Sequence, residues 1–196
     1  MVYSHSHFTI QRFFADAVLS AEETERVNKA FTRVVFKKGT YLFKEGSYVN
    51  KYFFLESGFV RSFGIDYKGN EVTTQFFLPK DIIIDWASFM MKTTTQENFV
   101  TSTDSICWEI TYDKFQELFH EIRGFREAGR ARLTQCYFKL KQHNLSMISD
   151  SAKERYVHFT QEYPEIIQNA SLKHIATYLG ITDTSLSRIR KELTQK

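Results

Sequence analysis

The regular recurrence of short apolar runs and turn signals in residues 31–111 constrains the fold more than any other feature of the chain. Short apolar or alternating runs such as FTRVVF, KYFFLE and EVTTQFFL recur there, each followed by a turn signal. A spacing of roughly eight to twelve residues per strand and turn is typical of a small sandwich or barrel. The chain also carries 19 Phe, 10 Tyr and 2 Trp, a load that suits cross-strand aromatic pairs. Residues 31–111 are therefore predicted to form a β domain.

The segments around these strands carry weaker signals. Residues 8–30 are predicted to be helical, and Ser20 with Glu23 three residues later resembles a capping box. Within the β region, DIIIDWASFMM predicts a short helix that a polar loop follows, and SICWEIT at 105–111 predicts a closing strand.

From Asp113 onward, apolar residues at intervals of three or four predict one long helix over 113–148. A single helix with an apolar stripe needs a partner. We expect its first half to pack on the β domain. The second half is expected to meet a second copy across a two-fold axis through Leu133, Cys136 and Leu140.

Another helix is predicted from about Asp150 to Tyr163, ending at Pro164. The segment 171–193 then predicts two short helices that cross steeply, with Ala176 at the close approach and Gly180 able to take a positive φ at the turn. Thr182 is placed to cap the second helix. The apolar positions expected to face inward are Ile175, Leu179, Ile181, Leu186 and Ile189.

This last segment carries a net positive charge. Residues 171–196 hold five basic and two acidic side chains, a net charge of +3 that equals that of the whole chain. An ordinary helical hairpin with a solvated basic face is the alternative, but the agreement of the inward positions with the Ala and the Gly favours a helix-turn-helix.

Three stretches resemble the Crp/Fnr family of bacterial transcription regulators. They are KKGTYLFKEGSYVNKYFFLESGFVRSF at 37–63, ICWEITYDKF at 106–115 and IATYLGITDTSLSRIRKEL at 175–193. The resemblance implies an α+β protein: a double-stranded β-roll of the cyclic-nucleotide-binding type, a long dimerisation helix and an all-α helix-turn-helix. The corresponding ranges are 1–112 for a sensor domain, 113–148 for the connecting helix and 149–196 for a DNA-binding domain.

The same resemblance implies partners and contacts. It implies a homodimer that binds a roughly palindromic DNA operator, with RNA polymerase as a further expected partner. Base contacts would come from Thr184, Ser187 and Arg188, since an arginine can bind guanine through two hydrogen bonds. Phosphate contacts would come from Lys173, Thr182, Arg190 and Lys191.

Departures from the family pattern lie in the expected nucleotide pocket, whose candidate residues are Asp85, Lys92, Thr95 and Gln96. Ile84-Asp85 stands where family members that bind cyclic AMP have Gly-Glu, and Thr95-Gln96 stands where they have Arg-Ser. No arginine occurs from 62 to 122, and Lys92 offers a point charge but not a bidentate donor. Asp85 is interpreted first as the cap of the short helix. Cyclic AMP is therefore not the expected ligand, and the alternative is a cyclic-nucleotide response through Lys92.

The C-terminus departs as well. No segment for the family's β-wing follows Leu193, and Asp183-Thr184 stands where strong DNA readers of the family have Arg-Glu. Fewer DNA contacts are therefore expected. A ligand-binding or protein-interaction module with a vestigial helix-turn-helix is the competing interpretation.

Other classes find little support. Two cysteines cannot form an iron–sulfur cluster, and no histidine lies between 8 and 119 to serve a haem or a cupin-type metal enzyme. His5 and His7 are a weak metal candidate in a presumed tail. No catalytic arrangement, cofactor or metal is predicted, although an unidentified small-molecule effector is compatible with the roll. Without a membrane span or a secretion signal, the protein is expected in the cytoplasm and not at a membrane.

Overall fold

The computed structural model describes residues 9–14 and 17–194. Two four-stranded antiparallel sheets form a β-roll, with strand orders β1-β8-β3-β6 and β2-β7-β4-β5. The strands are β1 (Thr32–Phe36), β2 (Tyr41–Phe43), β3 (Lys51–Ser57), β4 (Val60–Ile65), β5 (Glu71–Phe77), β6 (Ile82–Ile83), β7 (Asn98–Thr101) and β8 (Ser105–Thr111). The predicted strands are confirmed, whereas β6 and β7 were missed because one is two residues long and the other lies in the predicted polar loop.

One helix precedes the roll, one lies within it, and the others follow its last strand. They are α1 (Ala21–Ala30), α2 (Trp86–Met91), α3 (Tyr112–Glu121), α4 (Arg123–Ser149), α5 (Ala152–Glu162), α6 (Pro164–Asn169), α7 (Leu172–Tyr178) and α8 (Asp183–Thr194). The short helix α2 is confirmed. The helix α6 was missed: Pro164 does end the preceding helical run, but it also occupies the first turn of the next helix, where proline is well tolerated.

β3 is buried on both sides, which explains its continuous apolar sequence. Inside the roll, the ring of Phe53 lies 5.6 Å from that of Phe43 in the opposite sheet. The next residue, Phe54, stacks on Phe13 at 4.4 Å and approaches Phe31 at 5.1 Å. The N-terminal segment therefore covers the outer face of this sheet.

The prediction that residues 8–30 are helical is wrong for most of the described residues before Ser20. Only a 3₁₀ helix at Ile10–Arg12 precedes α1, which begins after Ser20. Ser20 has extended backbone, and its side chain and that of Glu23 form the predicted capping box. That box fixes the helix start, and Val18 just before it is 87% exposed. His5 and His7 lie outside the described residues.

The prediction of one uninterrupted helix over 113–148 is also wrong. Ile122 takes an extended conformation (φ −107°, ψ 105°) between α3 and α4 and is only 1% exposed. Arg126 supports the break, since its guanidinium donates to the carbonyls of Phe119 and His120 at the end of α3. Gly124 comes just after the break and packs closely against Val18. A Cβ added to Gly124 would lie 2.0 Å from the carbonyl oxygen of Val18. Tertiary packing therefore decides this bend.

The expectation that the first part of this region packs on the β domain is confirmed. Phe115, Leu118 and Phe125 belong to the core that the roll also forms. A second core joins Phe59 and Phe76 of the roll to the C-terminal helices α5–α8. The division into three domains stays a prediction. Among the described residues, no helix is long and apolar enough to cross a membrane.

Candidate functional site

The helices α7 and α8 form the steep pair that the sequence predicts. Ser171 caps α7 by accepting from the backbone N–H of His174 at 3.2 Å. Gly180 has φ +67° in the turn, and the N–H of Ile181 donates to the carbonyl of Ala176 at 3.0 Å. This left-handed conformation is the one that glycine adopts at low cost.

The inward face of the pair is apolar as predicted. Ile175, Ala176, Leu179 and Leu186 are fully buried, and Ile181 and Ile189 pack against them half-buried. Thr182 is exposed and caps α8, because its Oγ1 accepts from the N–H of Ser185 at 3.2 Å. The helix pair thus has its own core and a fixed crossing.

The outward face of α8 carries the predicted base-contact residues, Thr184, Ser187 and Arg188, all exposed. Two of their hydroxyls already have partners: Ser187 donates to the carbonyl of Asp183 at 2.9 Å, and Thr184 lies 2.9 Å from the Thr182 hydroxyl. The predicted phosphate-contact cations Lys173, Arg190 and Lys191 are exposed too.

The charge on this face is less balanced than the sequence count suggests. Within the described part of the chain, none of the four cations on α7 and α8 takes part in an ion pair. Glu192, by contrast, is paired with Lys153 of α5 at 3.2 Å. Because an acid is neutralised and the bases are not, the free charge of the α8 surface is positive.

Sequence reasoning missed the contact between α7 and the roll. The Oγ1 of Thr177 accepts from the N–H of Thr73 at 3.2 Å and lies 3.1 Å from its hydroxyl oxygen. Beside it Arg61 is 4% exposed, donates to Thr73 at 3.2 Å and pairs with Glu71. Nothing in the periodicity of β4 or β5 signals that their outer face is covered by a helix 100 residues later in the chain.

The four candidate pocket residues have different local surroundings. Asp85 caps α2, accepting from the N–H groups of Ala87 and Ser88 at 3.1 and 3.2 Å, as its first interpretation predicts. Lys92 ends the same helix in a left-handed conformation (φ 55°), with its Nζ 4.7 Å from the ring centre of Tyr112. Thr95 is buried in a turn and Gln96 is exposed.

Aromatic rings fill the inside of the roll, and a half-buried acid, Glu97, lies two residues before one of them, Phe99. The ring of Phe99 lies 5.4 Å from that of Phe43 and 5.9 Å from that of Phe77. Burial raises the pKa of Glu97, a residue that sequence reasoning missed, and the nearby charge of Asp85 raises it further, against a hydrogen bond from Thr74. The charges of Asp85 and Glu97 therefore act on each other in the region where the family pattern expects an anion.

The predicted dimer residues of α4 differ in their exposure. Leu133 and Leu140 are 42% and 58% exposed. Cys136 instead lies half-buried on the side of Arg132 and Asp81, and burial raises the pKa of its thiol. Tyr137, 57% exposed, takes its place in the exposed stripe. A spacing of three residues puts Cys136 about 60° from Leu133 around the helix, whereas four residues put Tyr137 about 40° away.

Comparisons with known proteins agree with this architecture. Residues 33–121 match the cyclic nucleotide-binding domain family. The chain is 24% identical to the transcriptional activator protein anr of Pseudomonas aeruginosa over 168 residues, 78% of this chain and 66% of that protein. It is 25% identical to the anaerobic regulatory protein of Haemophilus influenzae over 185 residues, 87% of this chain and 70% of that protein.

Among solved structures, FixK2 from Bradyrhizobium japonicum has the same fold, with a TM-score of 0.72, 18% identity and coverage of 84% of this chain and 85% of its own. The fold and the match over 33–121 define a protein that carries a cyclic-nucleotide-binding β-roll followed by helices. The resemblance to Crp/Fnr-type transcription regulators is confirmed over most of the chain. The chain spans about two thirds of the length of the curated relatives it matches, and these are regulators rather than enzymes.

Proposed function

We propose that the chain is a homodimeric, DNA-binding transcription regulator that inserts α8 into the major groove. The observation that carries this proposal is the exposed Arg188 at the centre of the outward face of α8, which has no ion-pair partner among residues 9–14 and 17–194. A guanidinium there can donate two hydrogen bonds to the edge of a guanine. Lys191 and Arg190 flank it and suit phosphate contacts, as do Lys173 and the exposed Thr182 at the two helix starts.

Selection from random DNA at low salt tests this function, with binding measured for the selected sequence. Arg188→Ala is expected to cost about 1–3 kcal/mol and to relax specificity at one base pair of each half-site. Lys191→Ala should weaken all sequences alike and reduce the salt dependence by about one unit. Lys38→Ala, which removes an exposed cation from a turn of the roll, is the matched control and should change neither.

If no sequence is enriched and Arg188→Ala binds DNA like the wild type, the regulator function is wrong. The interaction module with a vestigial helix-turn-helix would then be the better description. Contact with RNA polymerase stays a prediction of the family resemblance.

We also propose that the roll does not use cyclic AMP as its ligand. Three observations support this: no arginine occurs from 62 to 122, the Asp85 carboxylate caps α2, and Glu97 adds a half-buried carboxyl group whose pKa the charge of Asp85 helps burial to raise. A cyclic phosphate would meet acids there and no bidentate cation.

Calorimetry with cyclic AMP should therefore give no binding at micromolar concentration. Micromolar binding that Lys92→Ala abolishes would instead favour the alternative, in which Lys92 replaces the family's arginine. Lys80→Ala is the control, since it removes another exposed lysine with positive φ from a different turn.

A further inference from the structure

The hydroxyl groups at the start of α8 form a network that decides where their protons lie. A hydroxyl has one proton to donate and two lone pairs that accept. Thr182 donates its proton to the Oγ of Ser185 at 2.9 Å and accepts from the backbone N–H of Ser185 at 3.2 Å. The hydroxyl of Thr184 lies 2.9 Å from the same oxygen, so Thr184 is the donor of that pair. A phosphate contact at Thr182 would then use the backbone N–H groups at the helix start rather than this hydroxyl.

The proton of the Ser187 hydroxyl is used within the helix as well. Ser187 donates to the carbonyl of Asp183, one turn earlier, at 2.9 Å. Thr184 and Ser187 are both exposed, so their oxygens can still accept from a group outside the protein. A partner that donates to these oxygens leaves the internal bonds intact. A partner that accepts would require one of them to break, which costs the free energy of that bond.

Arg188 has the opposite polarity, because a guanidinium carries donors and no acceptor. It is exposed and, among the residues that the structure describes, takes part in no ion pair. Thr184 lies four residues earlier, about 40° away around the helix and about 6 Å along its axis. The outward face of α8 therefore presents a donor at Arg188 and acceptors at Thr184 and Ser187.

The base pairs of DNA differ in what they offer to such a face. In the major groove guanine offers two acceptors, which suit Arg188, whereas adenine and cytosine each offer an amino donor. Thymine alone offers a methyl group. Thr184 carries a methyl group beside its acceptor oxygen, and Ser187 does not. An A·T pair is the pair that offers both an amino donor and a methyl group, so it matches Thr184 best.

We propose that Thr184 recognises an A·T pair of the operator, an inference that rests on the proposed DNA-binding function. Its oxygen would accept from the N6 amino group of adenine, and its methyl group would contact the methyl group of thymine. The distance of about 6 Å along α8 corresponds to roughly two base steps of about 3.4 Å. The A·T pair should therefore lie about two steps from the guanine that Arg188 binds.

Selection from random DNA with the wild type and with Thr184→Val locates the base pair that Thr184 contacts. Valine has the shape of threonine without its hydroxyl, so the preference should relax at one base pair of each half-site. We expect an A·T pair there, about two steps from the G·C pair that Arg188→Ala relaxes. Thr194→Val is the matched control. It removes the hydroxyl of another exposed threonine at the far end of α8 and should leave the selected sequence unchanged.

Modified bases at that pair then separate the two contacts. Replacing adenine by purine removes the amino group, and the wild type should bind about fivefold more weakly, the usual effect of losing one neutral hydrogen bond. Replacing thymine by uracil removes the methyl group and should weaken binding about threefold. Thr184→Val should respond only to uracil, and Thr184→Ser only to purine. Fluorescence anisotropy at constant salt measures these affinities, and the same replacements at an A·T pair outside the half-sites control for changes in the duplex.

A G·C pair at the position that Thr184→Val relaxes overturns the inference, as does a selection in which Thr184→Val relaxes no position. Wild-type binding that neither modified base weakens also overturns it, and so does an equal response of the wild type and Thr184→Val to purine. In each of these cases an operator has been selected, so the DNA-binding function stands. If no sequence is enriched, that function fails and the inference fails with it.

Discussion

At the scale of single residues, backbone conformation decides whether the fold requires glycine at a position. Gly180 has φ +67° in the turn between α7 and α8, and an added Cβ would lie 2.3 Å from the terminal methyl of Met147. Gly129 lies inside α4, where nothing is within 4 Å of an added Cβ. Only the first glycine is required by the fold.

Alanine at these two positions should therefore change stability in opposite directions. Gly180→Ala should lower the free energy of unfolding by about 1–2 kcal/mol, because the left-handed conformation strains an L side chain. Gly129→Ala should raise it by about 0.5–1 kcal/mol, because glycine is a poor helix former. Urea denaturation of both variants measures this, and a loss of similar size in both would contradict the assignment of the turn.

The sequence allowed two interpretations of Asp85, a ligand contact and a helix cap. Its carboxylate accepts from two backbone N–H groups of α2 and from the hydroxyl of Ser88 at 2.6 Å. Asp85→Ala should therefore destabilise the ligand-free protein by about 1 kcal/mol, whereas Asp85→Asn should cost less since asparagine also caps helices. Thermal unfolding that is unchanged in Asp85→Ala would contradict the capping role.

At the scale of elements, α4 has two faces with different environments. Arg132 and Cys136 lie toward Asp81 of the roll. Leu133, Tyr137 and Leu140 form an exposed stripe. An exposed apolar stripe on a long helix is typical of a helix–helix interface. In the proposed dimer, this stripe meets its copy across the two-fold axis.

Leu133→Glu should accordingly convert the dimer into a monomer, because it buries charges against each other in the interface. Sedimentation should give about twice 23.1 kDa for the wild type and the single mass for the variant. Gln135→Glu is the control, since two residues along an α-helix turn its side chain about 200° away from Leu133. A wild-type monomer at micromolar concentration would contradict the dimer.

At the scale of the whole molecule, the C-terminal helices rest on the roll through a small polar contact. Thr177 of α7 meets Thr73 of β5, and His174, one turn earlier on α7, lies half-buried nearby. Burial lowers the pKa of His174, and the charges of Arg61 and Lys173 lower it further, against the opposite effect of Glu71. The junction therefore favours the neutral form of His174.

The lowered pKa predicts a pH dependence with a definite sign. The unfolded chain binds a proton at this histidine near pH 6.5, before the folded protein does, so stability is full above about pH 7 and falls as the pH drops through the folded pKa. His174→Gln should reduce the loss of stability between pH 7 and pH 5. His120→Gln, at an exposed position on α3, should leave it unchanged, and equal slopes for His174→Gln and the wild type would contradict the prediction.

The sequence alone determined the elements whose signals are local. Turn glycines and alternating runs predicted six of the strands, the Ser20–Glu23 capping box placed the start of α1, and the pattern around Gly180 predicted the helix pair. The side chains that α8 exposes also followed from helical spacing, since the apolar positions leave only one outward face.

Only the tertiary structure decided the features that depend on distant residues. The break at Ile122 exists because its side chain is buried in the roll's core. Arg61 is buried beneath α7, a helix more than 100 residues later in the chain. Such contacts leave no periodic signal, because each depends on how two elements dock rather than on how either one forms.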